Sequence, residues 1–292
     1  MDRLFIFGLG DTAAVLARRA RAQGYAVAGA VRYPDKVRAL RDAGHDVVRF
    51  ASGTPLDNPA GVLGEATHLL CSIPPDDDGD PAVIAHAADL ARHGTGLRWI
   101  GYLSTTGVYG DHGGAWVDET TPTAPASDRA RRRLVAERQW QALGERIGVP
   151  AHVFRLPGIY GPGRSALDQV RAGTARRIMR PGQVFSRIHI VDIATTLLAS
   201  MDQQHEGTIY NVADDEPSPQ ADVVDFACHL LGVASPPRVD YAEIEASLSP
   251  MARSFYAESR RIRNDLIKRN LGVVLAYPTY REGLRAILAA GG

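Results

Sequence analysis

The stretch Phe5-Ile6-Phe7-Gly8-Leu9-Gly10-Asp11-Thr12-Ala13 decides how the chain folds. It reads as a short apolar strand, a Gly-rich turn and the first turn of a helix. Gly8 lets the backbone turn sharply where the strand ends, Gly10 lets a phosphate approach the backbone, and Ala13 is small enough for the helix to pack onto the sheet. Free N–H groups at Gly10, Asp11, Thr12 and Ala13, with the positive end of the helix dipole behind them, would then face a pyrophosphate. The spacing is G-x-G-x-x-A. Alone it is a weak signal, since a structural turn has the same composition. Its context strengthens it, because a strand precedes it, a helix follows, and a second strand comes next.

Working outward, Ala13 to Gln23 forms the helix and Gly24 stops it. Tyr25 to Val31 is the second strand, ending in Arg32-Tyr33-Pro34-Asp35-Lys36. In a dinucleotide-binding unit this strand end selects the cofactor. A carboxylate suits the ribose 2′-OH of NAD, and an arginine suits the 2′-phosphate of NADP. Arg32, with Lys36 and Arg38 nearby, therefore points to NADP(H), with NAD(H) as the alternative. A helix over 34–43, a strand over 45–50, a Gly/Pro-rich connection and a strand over 68–73 follow. Ligands in doubly wound sheets lie at the carboxyl ends of strands, so Ser72, Ile73 and Pro74 are placed to line the cofactor. Asp76-Asp77-Asp78 reads as a solvated acidic loop, and no metal site is expected. A helix over 82–92 and a strand over 97–103 complete the alternation, which predicts a parallel sheet with helices on both faces.

Composition narrows the class. The 292 residues are 45 % hydrophobic, enough for a sizeable core. The formal net charge of zero argues against a dedicated nucleic-acid binder. Two cysteines, Cys71 and Cys228, are too few for a disulfide framework. No apolar run approaches the roughly 18 residues of a membrane span, and a strand beginning at Leu4 leaves no room for a signal peptide. The expectation is a cytoplasmic protein without a membrane or nucleic-acid partner.

After the fifth strand come Ser104-Thr105-Thr106-Gly107-Val108-Tyr109-Gly110, then Asp118-Glu119-Thr120-Thr121-Pro122, then a helix over 128–144 containing Glu137. Further on are Arg155-Leu156-Pro157-Gly158-Ile159-Tyr160-Gly161-Pro162-Gly163, Arg187-Ile188-His189-Ile190-Val191-Asp192-Ile193-Ala194, Tyr210-Asn211-Val212-Ala213 and Tyr277-Pro278-Thr279-Tyr280-Arg281-Glu282-Gly283. In this order the segments resemble the extended short-chain dehydrogenase/reductases, the NAD(P)-dependent epimerases, dehydratases and reductases. The resemblance implies a Rossmann-type doubly wound α/β fold over residues 1–156, with a strand near 209–213 returning to its sheet. It also implies a smaller, mostly helical substrate lobe within 157–292. Ser104 and Pro157 join the cofactor-lining residues by the same resemblance, and a homodimer built through helices flanking the sheet is among its expectations.

The departures are as informative. Active members carry a Tyr-x-x-x-Lys pair on the helix after the D-E-x-x-P loop, whose lysine holds the nicotinamide ribose and whose tyrosine exchanges a proton with the substrate. Counting back from Glu137, these positions hold Arg129 and Arg133. Arginine stays protonated near neutral pH and cannot serve as the proton shuttle. Arg133 could still hold a ribose hydroxyl or phosphate. The assisting Ser/Thr maps onto Thr105, the one catalytic candidate. Tyr109, His112, Tyr160 and His189 are acids by type only. Arg164, Arg180 and Arg187 suit an acidic or phosphorylated small-molecule substrate, or a solvated surface. Two functions follow: an NADP(H)-dependent hydride-transfer or epimerase/dehydratase enzyme on a small polar molecule, or a catalytically silent NADP(H)-binding sensor.

Overall fold

The computed structural model describes residues 1–203 and 208–291. It contains two compact units. The first comprises Met1–Thr105, Asp128–Arg155 and Ala194–Tyr210, and the second Thr106–Ser127, Leu156–Ile193 and Asn211–Gly292.

The chain begins with β1 (Arg3–Phe7), α1 (Asp11–Ala22), β2 (Ala26–Val31), α2 (Pro34–Asp42), β3 (Asp46–Arg49), α3 (Pro59–Gly64), β4 (His68–Cys71), α4 (Pro81–His93) and β5 (Trp99–Thr105). It continues through β6 (Trp116–Val117), α5 (Asp128–Ile147), β7 (Ala151–Leu156), β8 (Gly158–Tyr160), α6 (Ala166–Arg171), β9 (Arg177–Met179), β10 (Arg187–His189), α7 (Ile190–Met201) and β11 (Ile209–Asn211). It ends with α8 (Gln220–Leu231), β12 (Arg238–Asp240), α9 (Tyr241–Ile244), α10 (Pro250–Tyr256), β13 (Arg261–Ile262), α11 (Asp265–Leu271) and α12 (Tyr280–Ala289). The sequence reading places the strands and helices before α5 within a few residues. It misses the two-residue β6 and also α3, which starts inside the Gly/Pro-rich connection: Asn58 caps α3 by accepting from Gly61 N, with Pro59 in its first turn.

The central sheet has seven strands in the order β11-β7-β5-β4-β1-β2-β3. The registered pairs β1·β2, β1·β4, β2·β3 and β4·β5 are all parallel. Strand order reverses beside β1, which makes this a doubly wound Rossmann-type sheet. Its inner strands are apolar on both faces, as parallel strands covered by helices must be. Leu4, Phe5, Ile6 and Phe7 of β1 are all buried. Phe5, Phe7, Leu69, Ile100 and Val153 pack with Leu90 of α4 and with Trp140 and Leu143 of α5. Arg19 of α1 donates to Thr195 Oγ1 on α7 at 2.8 Å, and Trp99 Nε1 donates to Ser200 Oγ at 3.0 Å.

The second unit lacks that rhythm. Its strands form three two-stranded sheets, β8·β10, β9·β12 and β6·β13, each parallel. Its helical core joins Leu167, Val223, Ala227, Tyr280, Leu284 and Ile287. Among the described residues no helix is long and apolar enough to cross a membrane.

Candidate functional site

The first unit gathers most of the expected cofactor residues along the carboxyl rim of its sheet. Gly8 has φ +92°, and a Cβ built there would lie 2.7 Å from Ile73 Cγ2 and 2.9 Å from Ser72 Oγ. The turn therefore needs glycine for its backbone and for its close packing against the end of β4. Ser72 fixes that contact, its hydroxyl donating to Gly8 O at 2.5 Å. Gly8 N and Leu9 N both donate to Ala30 O, at 3.0 and 3.2 Å, which ties the turn to β2.

Gly10 differs from Gly8. A Cβ there would meet nothing within 4 Å. Gly10 is the N-cap of α1, in extended conformation, and no side chain caps the helix. Its first-turn N–H groups, on Asp11, Thr12 and Ala13, are left for a ligand or water. Ala13 is 1 % exposed and lets α1 settle on the sheet.

Arg32 follows β2, two residues beyond Ala30. It is exposed, its guanidinium lies 5.5 Å from the Tyr33 ring centroid, and among the described residues no carboxylate lies within ion-pair distance of it. Lys36 and Arg38 are exposed on α2, and Arg38 lies 3.7 Å from Asp35. Pro74 is exposed beyond β4. The acidic loop beside it is engaged: Asp76 accepts from Ser52 Oγ at 2.7 Å, and Asp77 pairs with Arg132.

The helix that carries the Tyr-x-x-x-Lys pair in active relatives is built differently. Arg129 is exposed. Arg133 is half-buried, and its Nη1 donates to Leu103 O at 2.7 Å, to Tyr102 OH at 3.1 Å and to Ile73 O at 3.3 Å. It clamps the ends of β4 and β5 together, stacked 5.7 Å from the Tyr102 ring centroid. Burial raises the Tyr102 phenol well above its ordinary range. One turn on, Glu137 is 1 % exposed and accepts from Ser104 Oγ at 2.5 Å and from Arg155 Nε and Nη2 at 3.2 and 2.7 Å. The Ser104 hydroxyl is thus committed to Glu137, while Thr105 beside it is half-buried. The sequence signal for this pair was an arginine inside the apolar strand Ala151–Leu156.

The remaining candidates lie in the second unit. Pro157 is half-buried between β7 and β8. The Tyr109 hydroxyl is buried and donates to Asn211 Oδ1 at 2.8 Å. Tyr160 OH donates to Thr279 O at 3.3 Å, and burial pushes its pKa well above the ordinary tyrosine value. His112 Nε2 lies 3.2 Å from Tyr109 O. His189 is 2 % exposed, Nδ1 accepts from Val191 N at 3.2 Å, and burial lowers its pKa to about 4. Arg180 is exposed and stacks on Tyr241, whereas Arg187 is buried.

A Gly turn before an uncapped helix, at the rim of a doubly wound parallel sheet, defines the class as a Rossmann-type α/β protein. Residues 83–213 match the model of the NAD dependent epimerase/dehydratase family. That match spans the second half of the first unit's central sheet and the start of the second unit. Among curated proteins nothing matches it. Among solved structures, a functionally unknown conserved protein from Silicibacter pomeroyi DSS is 49 % identical, with TM-score 0.90 over 99 % of each chain. Human epimerase family protein SDR39U1 (isoform 2), solved with NADPH, is 16 % identical, with TM-score 0.75 over 98 % of this chain and 99 % of its own. UDP-glucuronic acid 4-epimerase from Bacillus cereus, solved with UDP-glucuronic acid and NAD, is 16 % identical, with TM-score 0.76 over 98 % of each chain. The last two likenesses are likenesses of fold.

Proposed function

We propose that this protein binds NADP(H) and acts on a small polar, anionic molecule by hydride transfer or an epimerase/dehydratase-type step. The observation that carries the reading is the pairing of the open, uncapped N-terminus of α1 with the unpaired Arg32. The first suits a pyrophosphate and the second a 2′-phosphate. The match of residues 83–213 to the NAD dependent epimerase/dehydratase family supports a nicotinamide dinucleotide, and the NADPH and NAD found in the two distant likenesses agree with it. The residues present fit the group: Asp11, Thr12 and Ala13 would hold its phosphates, Gly10, whose own N–H is taken by Gly8 O at 2.9 Å rather than left free, would leave room for them, Arg32 would hold its 2′-phosphate, and Ile73 and Pro74 would line it. When bound, the cofactor supplies or accepts the hydride. Arg133 keeps the ends of β4 and β5 at fixed spacing, and Thr105 is the hydroxyl offered to substrate.

A fluorescence titration of NADPH and NADH tests the assignment. Arg32→Ala is expected to weaken NADPH at least tenfold and NADH less than twofold, since a charge-assisted contact is worth roughly 1.5–3 kcal/mol. Equal losses for both cofactors would sink it.

A second reading, a cofactor-binding sensor without chemistry, is favoured by one specific observation. The tyrosine position is an exposed arginine, and Tyr109, Tyr160 and His189 are all buried. NADPH binding without oxidation of NADPH by any carbonyl substrate would favour it.

A further inference from the structure

The second unit holds a cavity of about 500 Å³. One wall is Arg187, the first residue of β10, which stands in register with Gly158 of β8. With no side chain at Gly158, nothing on that strand covers the stem of Arg187; a Cβ there would lie 3.8 Å from Arg187 Cγ. Arg187 is 7 % exposed. Its guanidinium donates to Phe185 O at 2.8 Å, Ser218 O at 3.1 Å and Gln220 Oε1 at 3.0 Å. All three acceptors are neutral, and among the described residues no carboxylate lies within ion-pair distance of it. Asp214 and Glu216 act on it through space without a direct ion pair, and a buried charge with no directly bonded counter-charge is costly, with an effective penalty of several kcal/mol.

A guanidinium has five N–H donors. Among the described residues Nη1 makes two bonds and Nη2 one, which leaves Nε–H and one Nη2–H without a partner. Such a pair is the side-on fork that takes both oxygens of a carboxylate. The first unit contains the same arrangement completed, where Arg155 holds Glu137 through Nε and Nη2. Arg164, exposed on the cavity lining, adds a second positive charge with no side-chain partner among the described residues. The lining carboxylate, Asp168, is engaged in capping α6, accepting from Ser165 N and Oγ at 2.7 and 2.6 Å. Tyr160, Leu284 and Tyr280 give the cavity an apolar side, and the buried Tyr280 hydroxyl has no partner among the described residues.

We propose that this cavity binds a small organic carboxylate with an apolar body, its carboxylate on the free fork of Arg187 and within reach of Arg164. As the substrate class of the reaction above, this rests on the proposed function; as a binding site it does not. The test uses the full chain without cofactor. Monocarboxylates from propionate to 4-phenylbutyrate are titrated by calorimetry, each against its primary amide. At least one acid is expected to bind tenfold or more tighter than its amide. Gly158→Leu, which fills the space over Arg187 and keeps every charge, is expected to abolish that binding. Arg164→Gln, on the exposed rim, is expected to weaken it three- to tenfold. Amides binding as well as acids, no acid binding at all, or unchanged binding by Gly158→Leu would overturn the proposal. NADPH titration of the same samples separates the readings: NADPH binding without acid binding ends this inference alone, and acid binding without NADPH binding ends the cofactor reading alone.

Discussion

His189 should make the second unit acid-labile, and the magnitude follows from its surroundings. Its ring is 2 % exposed, centred 4.1 Å from the Tyr277 ring and 5.1 Å from the Tyr160 ring. Nδ1 accepts from Val191 N, while the buried Nε2 has no partner among the described residues. Burial without a carboxylate partner drives the pKa from 6.5 to about 4. The unfolded chain therefore takes up a proton on this residue below pH 6.5, and the folded chain does not until about pH 4. Stability is whole above pH 6.5 and is lost as pH falls through this window. At about 1.4 kcal/mol per pH unit, the loss reaches up to about 3 kcal/mol. His189→Asn keeps an acceptor for Val191 N and removes the titration. Urea unfolding of both proteins from pH 8 to pH 4 gives the comparison. Wild type should be the more stable at pH 8, because it keeps the ring contacts, and its lead should shrink by up to about 3 kcal/mol by pH 4. A lead that stays constant, or a His189 ring that titrates near 6.5 by NMR, would refute the reasoning.

The two glycines of the opening turn should separate stability from binding. Gly8→Ala combines φ +92° with a 2.7 Å approach to Ile73 and should cost about 1–3 kcal/mol in thermal or urea unfolding. Gly10→Ala, in extended backbone facing open space, should leave stability within about 0.5 kcal/mol but weaken NADPH binding in the fluorescence titration. Glu137→Gln would leave Arg155, 3 % exposed, without its counter-charge, and urea unfolding should show a loss of about 3–5 kcal/mol. Asp214 is 1 % exposed with Oδ2 unpartnered, and burial holds its carboxyl well above the usual range. A raised folded-state value means stability is full below the ordinary carboxylate pKa and declines as pH rises through the folded value. Asp214→Asn should therefore gain stability over wild type increasingly above pH 4, and a gain independent of pH would count against the assignment.

The sheet was legible because its signals are local and repeated: apolar runs for β1, β4 and β5, glycine after α1, and a basic residue after β2. The missed α3 was legible too, since Asn58-Pro59 is a cap followed by a first-turn proline, but the helix is only a turn and a half long and sits among turn formers. The sequence assigns Gly8 to a sharp turn and Gly10 to open approach, but no spacing shows what packs against Gly8. One is forced by Ile73 and Ser72, which lie more than sixty residues away, and the other faces open space. The partners of Ser104 and Arg133 were equally hidden. Both residues lie on the cofactor rim by motif, and both spend hydrogen bonds on the protein itself, an accounting that depends on how α5 packs against β5. The cavity around Arg187 is made by a glycine and an arginine on paired strands, a juxtaposition created by register and not by sequence distance.

That accounting bears on how the missing Tyr-x-x-x-Lys pair is understood. Two substitutions, Arg129→Tyr and Arg133→Lys, would rewrite the letters of the motif. The position of Arg129 is exposed, so a tyrosine there would keep a phenol near its ordinary pKa of about 10 and transfer protons poorly at neutral pH. The position of Arg133 is an anchor for Leu103 O, Ile73 O and the Tyr102 hydroxyl. A lysine ammonium has three donors and no planar fork, so using it to hold these groups would leave none for a ribose. The arginines are therefore parts of a differently built rim: one closes the strand ends, and the other faces solvent. The double variant should bind NADPH without gaining reductase activity, and a large gain in rate would mean that the ancestral geometry is still present beneath the changed residues.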